Sequence, residues 1–85
     1  MYSIETTRQA RKDLRNLPRA AALPILIKLE KVAQDPFRPN NNVKTLAGDE
    51  GYRLRVGDYR AVYFLRENIL TLVLVRVKHR KEVYR

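Results

Sequence analysis

The stretch YRLRVGDYRAVYFLRENILTLVLVRVKHRKEVYR, from Tyr52 to Arg85, decides the fold of this chain. Its apolar residues are dense and rich in β-branched side chains, which is typical of the centre of a β-sheet. The charged residues set among them are nearly all basic. Because an unpaired buried charge is too costly to keep, these cations are expected to lie on a surface that binds an anionic partner. The stretch therefore predicts a sheet with one basic surface.

Alternation of apolar and polar residues predicts three strands in this stretch: Tyr52–Val56, Tyr59–Arg66 and Ile69–Lys78. The first strand places Arg53 and Arg55 on one face, because successive side chains point to opposite faces. The turns between the strands are short, so the three form an antiparallel meander. The last strand is apolar on both sides and is predicted to be central and to supply the core from Ile69 onward.

The first half of the chain predicts a strand, two helices and an extended segment that is either a short strand or the approach to one. The predicted segments are Tyr2–Glu5, a helix that Thr6 or Thr7 caps and that ends near Pro18, a helix over Arg19–Gln34, and Val43–Leu46 as a strand or an extended approach to one. The fold class is therefore α+β in the order β-α-α-β-β-β. The two helices form a hairpin on one face of a mainly antiparallel sheet, in a single domain over residues 1–85.

Composition narrows the class of partner. Lys and Arg number 18 against 9 for Asp and Glu, which gives a net charge of +9. So positive a chain favours nucleic acid, an anionic membrane or an acidic protein as its partner, although solubility alone is the alternative explanation. The sequence has no cysteine, no signal-peptide pattern and no apolar run long enough to span a bilayer. We therefore expect a cytoplasmic protein that makes no membrane contact.

The strand arginines are the candidate chemistry. Arg53, Arg55 and Arg60 come close together if the first two meander strands pair, and Arg80 can join them from the C-terminal end. Clustered guanidinium groups grip phosphates and stabilise the charge of a phosphoryl-transfer transition state. Tyr84 adds a ring on which an unpaired base can stack. The alternative is an edge strand whose arginines only discourage aggregation.

Other kinds of site have little support in the sequence. There is no glycine-rich phosphate loop, and with one histidine, no cysteine and scattered carboxylates a metal centre is not expected. No cofactor is predicted. His79 is the only histidine, and it is either a surface residue or a candidate base.

The segments YRLR at 52–55, YRAVY at 59–63 and HRKEVY at 79–84, in this order, resemble the RelE-type toxins of the RelE/ParE superfamily. The resemblance implies the toxin of a type II toxin–antitoxin system. Such a toxin is a metal-independent endoribonuclease that cuts mRNA in the A site of the ribosome by attack of the 2′-hydroxyl. A cognate antitoxin neutralises it, commonly in a toxin–antitoxin heterotetramer.

The resemblance also implies roles for individual residues. The catalytic candidates are Arg55, Arg60, Arg80 and Tyr84. The candidates for contact with mRNA or rRNA are Arg53, Arg55, Lys78, His79 and Lys81. Lys78 replaces Arg80 in the family pattern if the preceding loop aligns without a gap. Family members often carry lysines where this chain has Arg53 and Arg55, and an arginine cannot act as a base. Either His79 is then the general base, or the 2′-hydroxyl is activated by its orientation and by the ribosome's own RNA.

Two other functions remain compatible with the resemblance. ParE-type members share the fold and inhibit DNA gyrase by binding, with no ribonuclease activity, and they generally lack the basic constellation with its terminal tyrosine. The other is an inactive member that acts mainly as a repressor component together with its antitoxin.

Overall fold

The computed structural model describes residues 1–46, 48 and 50–80 of the chain. The described elements are β1 (Ser3–Thr6), α1 (Arg8–Arg15), α2 (Arg19–Gln34), β2 (Val43–Thr45), β3 (Tyr52–Val56), β4 (Tyr59–Arg66), a 3₁₀ helix (Glu67–Ile69) and β5 (Thr71–His79). The strands form one sheet in the order β1-β5-β4-β3-β2. β1 runs parallel to β5, and the other neighbours are antiparallel. The α+β class and the predicted order are confirmed. Within these ranges no helix is long and apolar enough to cross a membrane.

One strand begins later than the alternation predicts. Ile69 was expected to open the last strand and to join the core, but it lies in the 3₁₀ helix and is 56% exposed. Leu70 follows in the left-handed conformation with φ of 47° and reverses the chain. The connection between β4 and β5 therefore uses two apolar residues that sequence periodicity assigns to the strand.

The core lies between α2 and one face of the sheet. Ile25 and Leu29 of α2 are fully buried against the sheet residues Leu54, Tyr63 and Leu74. Burial raises the pKa of Tyr63 to about 12, and the neighbouring Tyr52 adds to the effect. The two tyrosine rings stack with centroids 5.4 Å apart. This packing fixes which sheet face the helices cover and leaves the other face open.

Helix α1 completes the outer edge of β5 where β1 has ended. The hydroxyl of Thr7 accepts a hydrogen bond from the Ala10 N–H at 3.1 Å, which caps α1, and donates one to the Val75 carbonyl at 2.9 Å. Asp13 continues the edge, because its Oδ2 accepts from the Val77 N–H and from Nε of Arg76, both at 2.9 Å. Unpaired edge groups are costly when they are shielded from water, so these side chains replace the missing strand.

A β-bulge interrupts the pairing of β4 with β5. Val62 pairs with Arg76 while the next residue, Tyr63, pairs with Leu74, so Val75 is an extra residue in β5. An inserted residue shifts the side-chain alternation of everything beyond it to the opposite face. As a result Leu74 and Val77 both face the core, at 0% and 4% exposure. Without the bulge, Arg76 and the residue two positions later would face the helices.

The carboxylate of Asp13 makes the edge contact dependent on pH. Partial burial acts to raise the pKa of Asp13, but hydrogen bonds from the Val77 N–H, from Gln9 and from Arg76 outweigh it and lower the pKa below its ordinary value. A carboxyl group with a lowered folded-state pKa stabilises the fold above its unfolded pKa of about 3.9. That stabilisation is lost as the pH falls through the folded-state value.

We predict that Asp13→Asn lowers the free energy of unfolding by roughly 1–3 kcal/mol at neutral pH, the usual cost of losing a charged hydrogen-bond partner. The difference from the native chain should shrink as the pH falls below the unfolded-state pKa of about 3.9, and it should vanish only below the lower folded-state pKa of Asp13, where the native carboxyl group is protonated. Urea unfolding at neutral and acidic pH measures both. A deficit that stays constant with pH would show that the charge of Asp13 plays no part. Glu30→Gln, on the exposed side of α2, is the matched control.

Candidate nucleic-acid interface

The open face of the sheet carries cations from four neighbouring strands. Residues that pair across strands lie on the same face. One row joins Arg55 to Arg60 and Arg60 to Lys78. The next row joins Lys44 to Arg53, Arg53 to Val62 and Val62 to Arg76. The basic face is the name used below for these six cations: Lys44, Arg53, Arg55, Arg60, Arg76 and Lys78.

A two-residue turn sets the register of the first row. Gly57 has φ of +59°, a conformation that L side chains rarely adopt, and Asp58 completes the turn. Glycine in the first central position fits the tight hairpin turn that matches the twist of the strands. The carbonyl of Asp58 also accepts a hydrogen bond from the Arg80 N–H at 2.6 Å. This turn therefore places Arg55 directly opposite Arg60 and holds the end of β5 beside them.

A small pocket opens on the basic face next to β2. It has a volume of about 130 Å³ and is lined by Asn41, Asn42, Lys44, Arg53, Arg55 and Arg60. Every ionisable side chain in this lining is basic. Arginine and lysine side chains that converge on one cavity favour an anion with several oxygens, such as a phosphate group.

Arg60 differs from the other cations of the pocket in the burial of one side-chain nitrogen. Its Nε is buried and has no hydrogen-bond partner among the residues that the structure describes. A buried donor without an acceptor costs roughly 1–3 kcal/mol, so a small movement of the side chain that brings Nε to an acceptor oxygen of a ligand is favoured. The guanidinium of Arg60 is therefore the strongest single candidate for contact with a phosphate.

Arg76 differs from the other cations because it has a partner. Its Nε lies 2.9 Å from Oδ2 of Asp13, whose side chain is only 10% exposed. This ion pair, together with the hydrogen bonds that lower the pKa of Asp13, keeps the carboxylate charged and fixes the Arg76 side chain against α1. Arg76 therefore braces the edge of the basic face, and Lys78 is the cation of β5 that lies beside Arg60.

The structure brings some of the predicted site residues together and separates others. Arg53, Arg55 and Arg60 line one pocket as expected, and Lys78 lies across the strands from Arg60. His79 follows Lys78, so it points to the other side of the sheet, where its ring meets that of Tyr59 edge-on at 5.2 Å. Arg80 is exposed just past β5. Lys81 and Tyr84 lie outside the described residues.

Sequence reasoning missed the contributions of Asn41, Asn42, Lys44 and Arg76. The first three come from a loop and a short edge strand, and only the pairing of Lys44 with Arg53 brings them to the pocket. The run of three asparagines before β2 was a visible signal, but its composition indicated only a loop. The position of Arg76 on the open face depends on the bulge in β5, which strict alternation of apolar and polar residues does not predict.

The sequence of this chain matches a known protein family. The family described as "ParE toxin of type II toxin-antitoxin system, parDE" matches residues 4–84. Toxin RelG of Mycobacterium tuberculosis is 33% identical over 86 aligned positions, which cover 99% of this chain and 97% of that protein.

Solved structures of RelE proteins have the same fold. The chain matches a RelBE toxin–antitoxin complex of Mycobacterium tuberculosis with a TM-score of 0.79 and 28% identity, over 93% of this chain and 98% of the other. It matches the isolated RelE toxin of E. coli with a TM-score of 0.80 and 26% identity, over 99% of this chain and 92% of the other. The chain therefore belongs to the RelE/ParE superfamily of type II toxin–antitoxin toxins, as a RelE-type member.

Proposed function

We propose that this toxin is a ribosome-dependent endoribonuclease and that the basic face binds and cuts mRNA in the ribosomal A site. The observation that carries the proposal is the row of Arg55, Arg60 and Lys78 on three adjacent strands. Neighbouring strands are about 4.8 Å apart, so the row presents three cations along a line that an RNA backbone can follow. Similarity to RelG and to the RelE toxins supports the assignment.

The proposed reaction needs no group beyond RNA, the chain's own side chains and water. The 2′-hydroxyl loses its proton to a base, and its oxygen forms a bond to the adjacent phosphorus. The bond from phosphorus to the 5′-oxygen breaks in line, and that oxygen takes up a proton from water. The products are a 2′,3′-cyclic phosphate and a 5′-hydroxyl. Arg60 stabilises the extra negative charge on the phosphoryl oxygens, while Arg53 and Arg55 hold neighbouring phosphates.

Lys78 is the proposed general base. An arginine stays protonated in proteins, whereas a lysine can give up its proton and accept another. Lys78 lies directly across from Arg60, with Cβ atoms expected about 4.5–5.5 Å apart. His79, the alternative base, lies on the other side of the sheet. The position next to Arg60 therefore favours Lys78.

The remaining residues have supporting roles in this proposal. Arg80 stabilises developing charge from the end of β5, and Tyr84 stacks on a base to hold the reacting geometry. Lys81 contacts the mRNA or rRNA near the end of the chain. His79 lies on the other side of the sheet from the basic face, so its proposed contact is with rRNA.

The proposed protein partner is a cognate antitoxin. The relatives of known structure include RelB–RelE antitoxin–toxin complexes. Because the toxin carries a net charge of +9, the segment that covers it should be acidic or amphipathic and disordered when free. A toxin–antitoxin heterotetramer in the cytoplasm is the expected assembly.

Inhibition of DNA gyrase is the second candidate function. The family description names ParE, which is the observation that favours it. ParE-type inhibition is a binding activity and does not need a base beside Arg60. The basic row with its lysine therefore supports RNA cleavage over gyrase inhibition.

We predict that Arg60→Ala lowers mRNA cleavage on programmed ribosomes by about 10²–10³-fold, the usual effect of removing one transition-state charge stabiliser. Arg19→Ala, an exposed position on α2, removes the same charge from the helix side and should cut at nearly the native rate. Equal losses in both variants would indicate a general charge effect. Intact mRNA with the native toxin, together with loss of supercoiling by gyrase, would replace the proposal with the second candidate.

The role of Lys78 is tested by comparing Lys78→Arg with Lys78→Ala. If Lys78 takes the proton, arginine cannot replace it, and both variants should lose activity by about 10²-fold or more. Single-turnover cleavage on programmed ribosomes measures the loss. Near-native cleavage by Lys78→Arg would mean that Lys78 contributes only positive charge.

A further inference from the structure

The loop between α2 and β2 is built into the edge of the basic face. The carbonyl of Asn42 accepts a hydrogen bond from the Arg55 N–H at 2.8 Å, which extends the pairing of β2 with β3 by one residue. The Val43 N–H donates to the Asn40 carbonyl at 3.1 Å and closes the turn. Asn42 therefore stands in the same cross-strand row as Arg55, Arg60 and Lys78.

The three consecutive asparagines have different environments. Oδ1 of Asn40 accepts from the Asn42 N–H at 2.9 Å, which is the side-chain turn that asparagine commonly forms in loops. Asn41 and Asn42 line the pocket, and their side-chain amides make no hydrogen bond within the part of the chain that the structure describes. Turn formation thus accounts for Asn40 and leaves the other two amides available to a ligand.

The pocket is lined by two kinds of side chain. Its cations supply only hydrogen-bond donors, which suit phosphate oxygens. Each asparagine amide offers an acceptor as well as donors, and an acceptor is of no use to a phosphate. A ligand that matches the whole lining has an anionic group and, close to it, a paired donor and acceptor. A nucleotide has both.

The size of the pocket limits how a nucleotide can sit. Its volume of about 130 Å³ is well below the roughly 300–1,000 Å³ of pockets that enclose a whole small molecule. A nucleotide can therefore place only a part within it, such as the phosphate group and one edge of the base. Asparagine pairs bidentately with adenine through N6 and N7, and single-stranded RNA is read along these exposed base edges.

We infer that Asn41 and Asn42 form an adenine-reading subsite beside the phosphate held by Arg55 and Arg60. The inference rests on the proposed RNA-binding role of the same face, and it adds the base that the face selects. In an RNA strand, the subsite reads a base attached next to a phosphate in the row. The chain would then favour some mRNA sequences over others through its own side chains.

The experiment measures binding without cleavage. The ¹⁵N-labelled chain is titrated with adenosine 3′-phosphate, uridine 3′-phosphate and inorganic phosphate, and the dissociation constants are taken from NMR shifts. The native chain should bind the adenosine compound at least about 5-fold more tightly than the uridine compound, the lower range for one bidentate base contact. The side-chain amide signals of Asn41 and Asn42 should move with the nucleotide and not with inorganic phosphate.

The double variant Asn41→Ala/Asn42→Ala should bind both nucleotides equally and keep its affinity for inorganic phosphate. The anchoring hydrogen bonds of Asn42 use its backbone N–H and carbonyl, so the loop remains in place. Asn68→Ala, in the turn at the other end of the sheet, is the matched control and should keep the native preference.

Equal binding of the two nucleotides by the native chain would overturn the inference, as would a preference that survives in the double variant or a failure to bind any nucleotide. An adenine preference that depends on the two asparagines supports it even if the toxin does not cut mRNA. In that outcome the proposed ribonuclease activity fails while the subsite stands.

Discussion

The extra residue at Val75 is the feature on which the open face of this sheet depends. Strict alternation along β5 would put Arg76 and Lys78 against the helices, where unpaired cations are too costly. The bulge opposite Val62 shifts the alternation once, so that Leu74 and Val77 both reach the core and the two cations face outward. One inserted residue thus reconciles a well-packed core with a continuous row of positive charge, at the usual cost of a locally broken ladder.

The same strand also explains why the cations of the face are not equivalent. Where β1 ends, Asp13 takes over the hydrogen bonding of β5 at Val77 and pairs with Arg76. The cation that borders the helix layer is therefore neutralised. Those toward β3 and β2 share a pocket in which no acidic side chain is found among the residues that the structure describes. Positive potential is concentrated around Arg60, whose buried Nε lacks an acceptor among the described residues. The contact that stabilises the fold and the proposed anion-binding residues therefore lie at different ends of one surface.

Local patterns predicted most of the architecture. The helix over Arg19–Gln34, a threonine cap at Thr6 or Thr7 and the hairpin at Gly57 follow from residue preferences that act over a few positions. All three are found in the structure, with Thr7 as the cap. The grouping of Arg53, Arg55 and Arg60 was predictable because the short turn after β3 allows only one register between β3 and β4. The exposure of Ile69 and the outward face of Arg76 were not predictable in this way. Each depends on where the chain departs from regular strand geometry, which tertiary packing decides.

The most direct test of the account is a structure of the toxin bound to RNA that carries a 2′-O-methyl group at the cut, so that cleavage is blocked. The account predicts a phosphate in contact with Arg60, with Lys78 on the same side of the sheet and near the methylated oxygen. RNA bound to the helix side, or a β5 register without the bulge in which Lys78 faces the core, would contradict it.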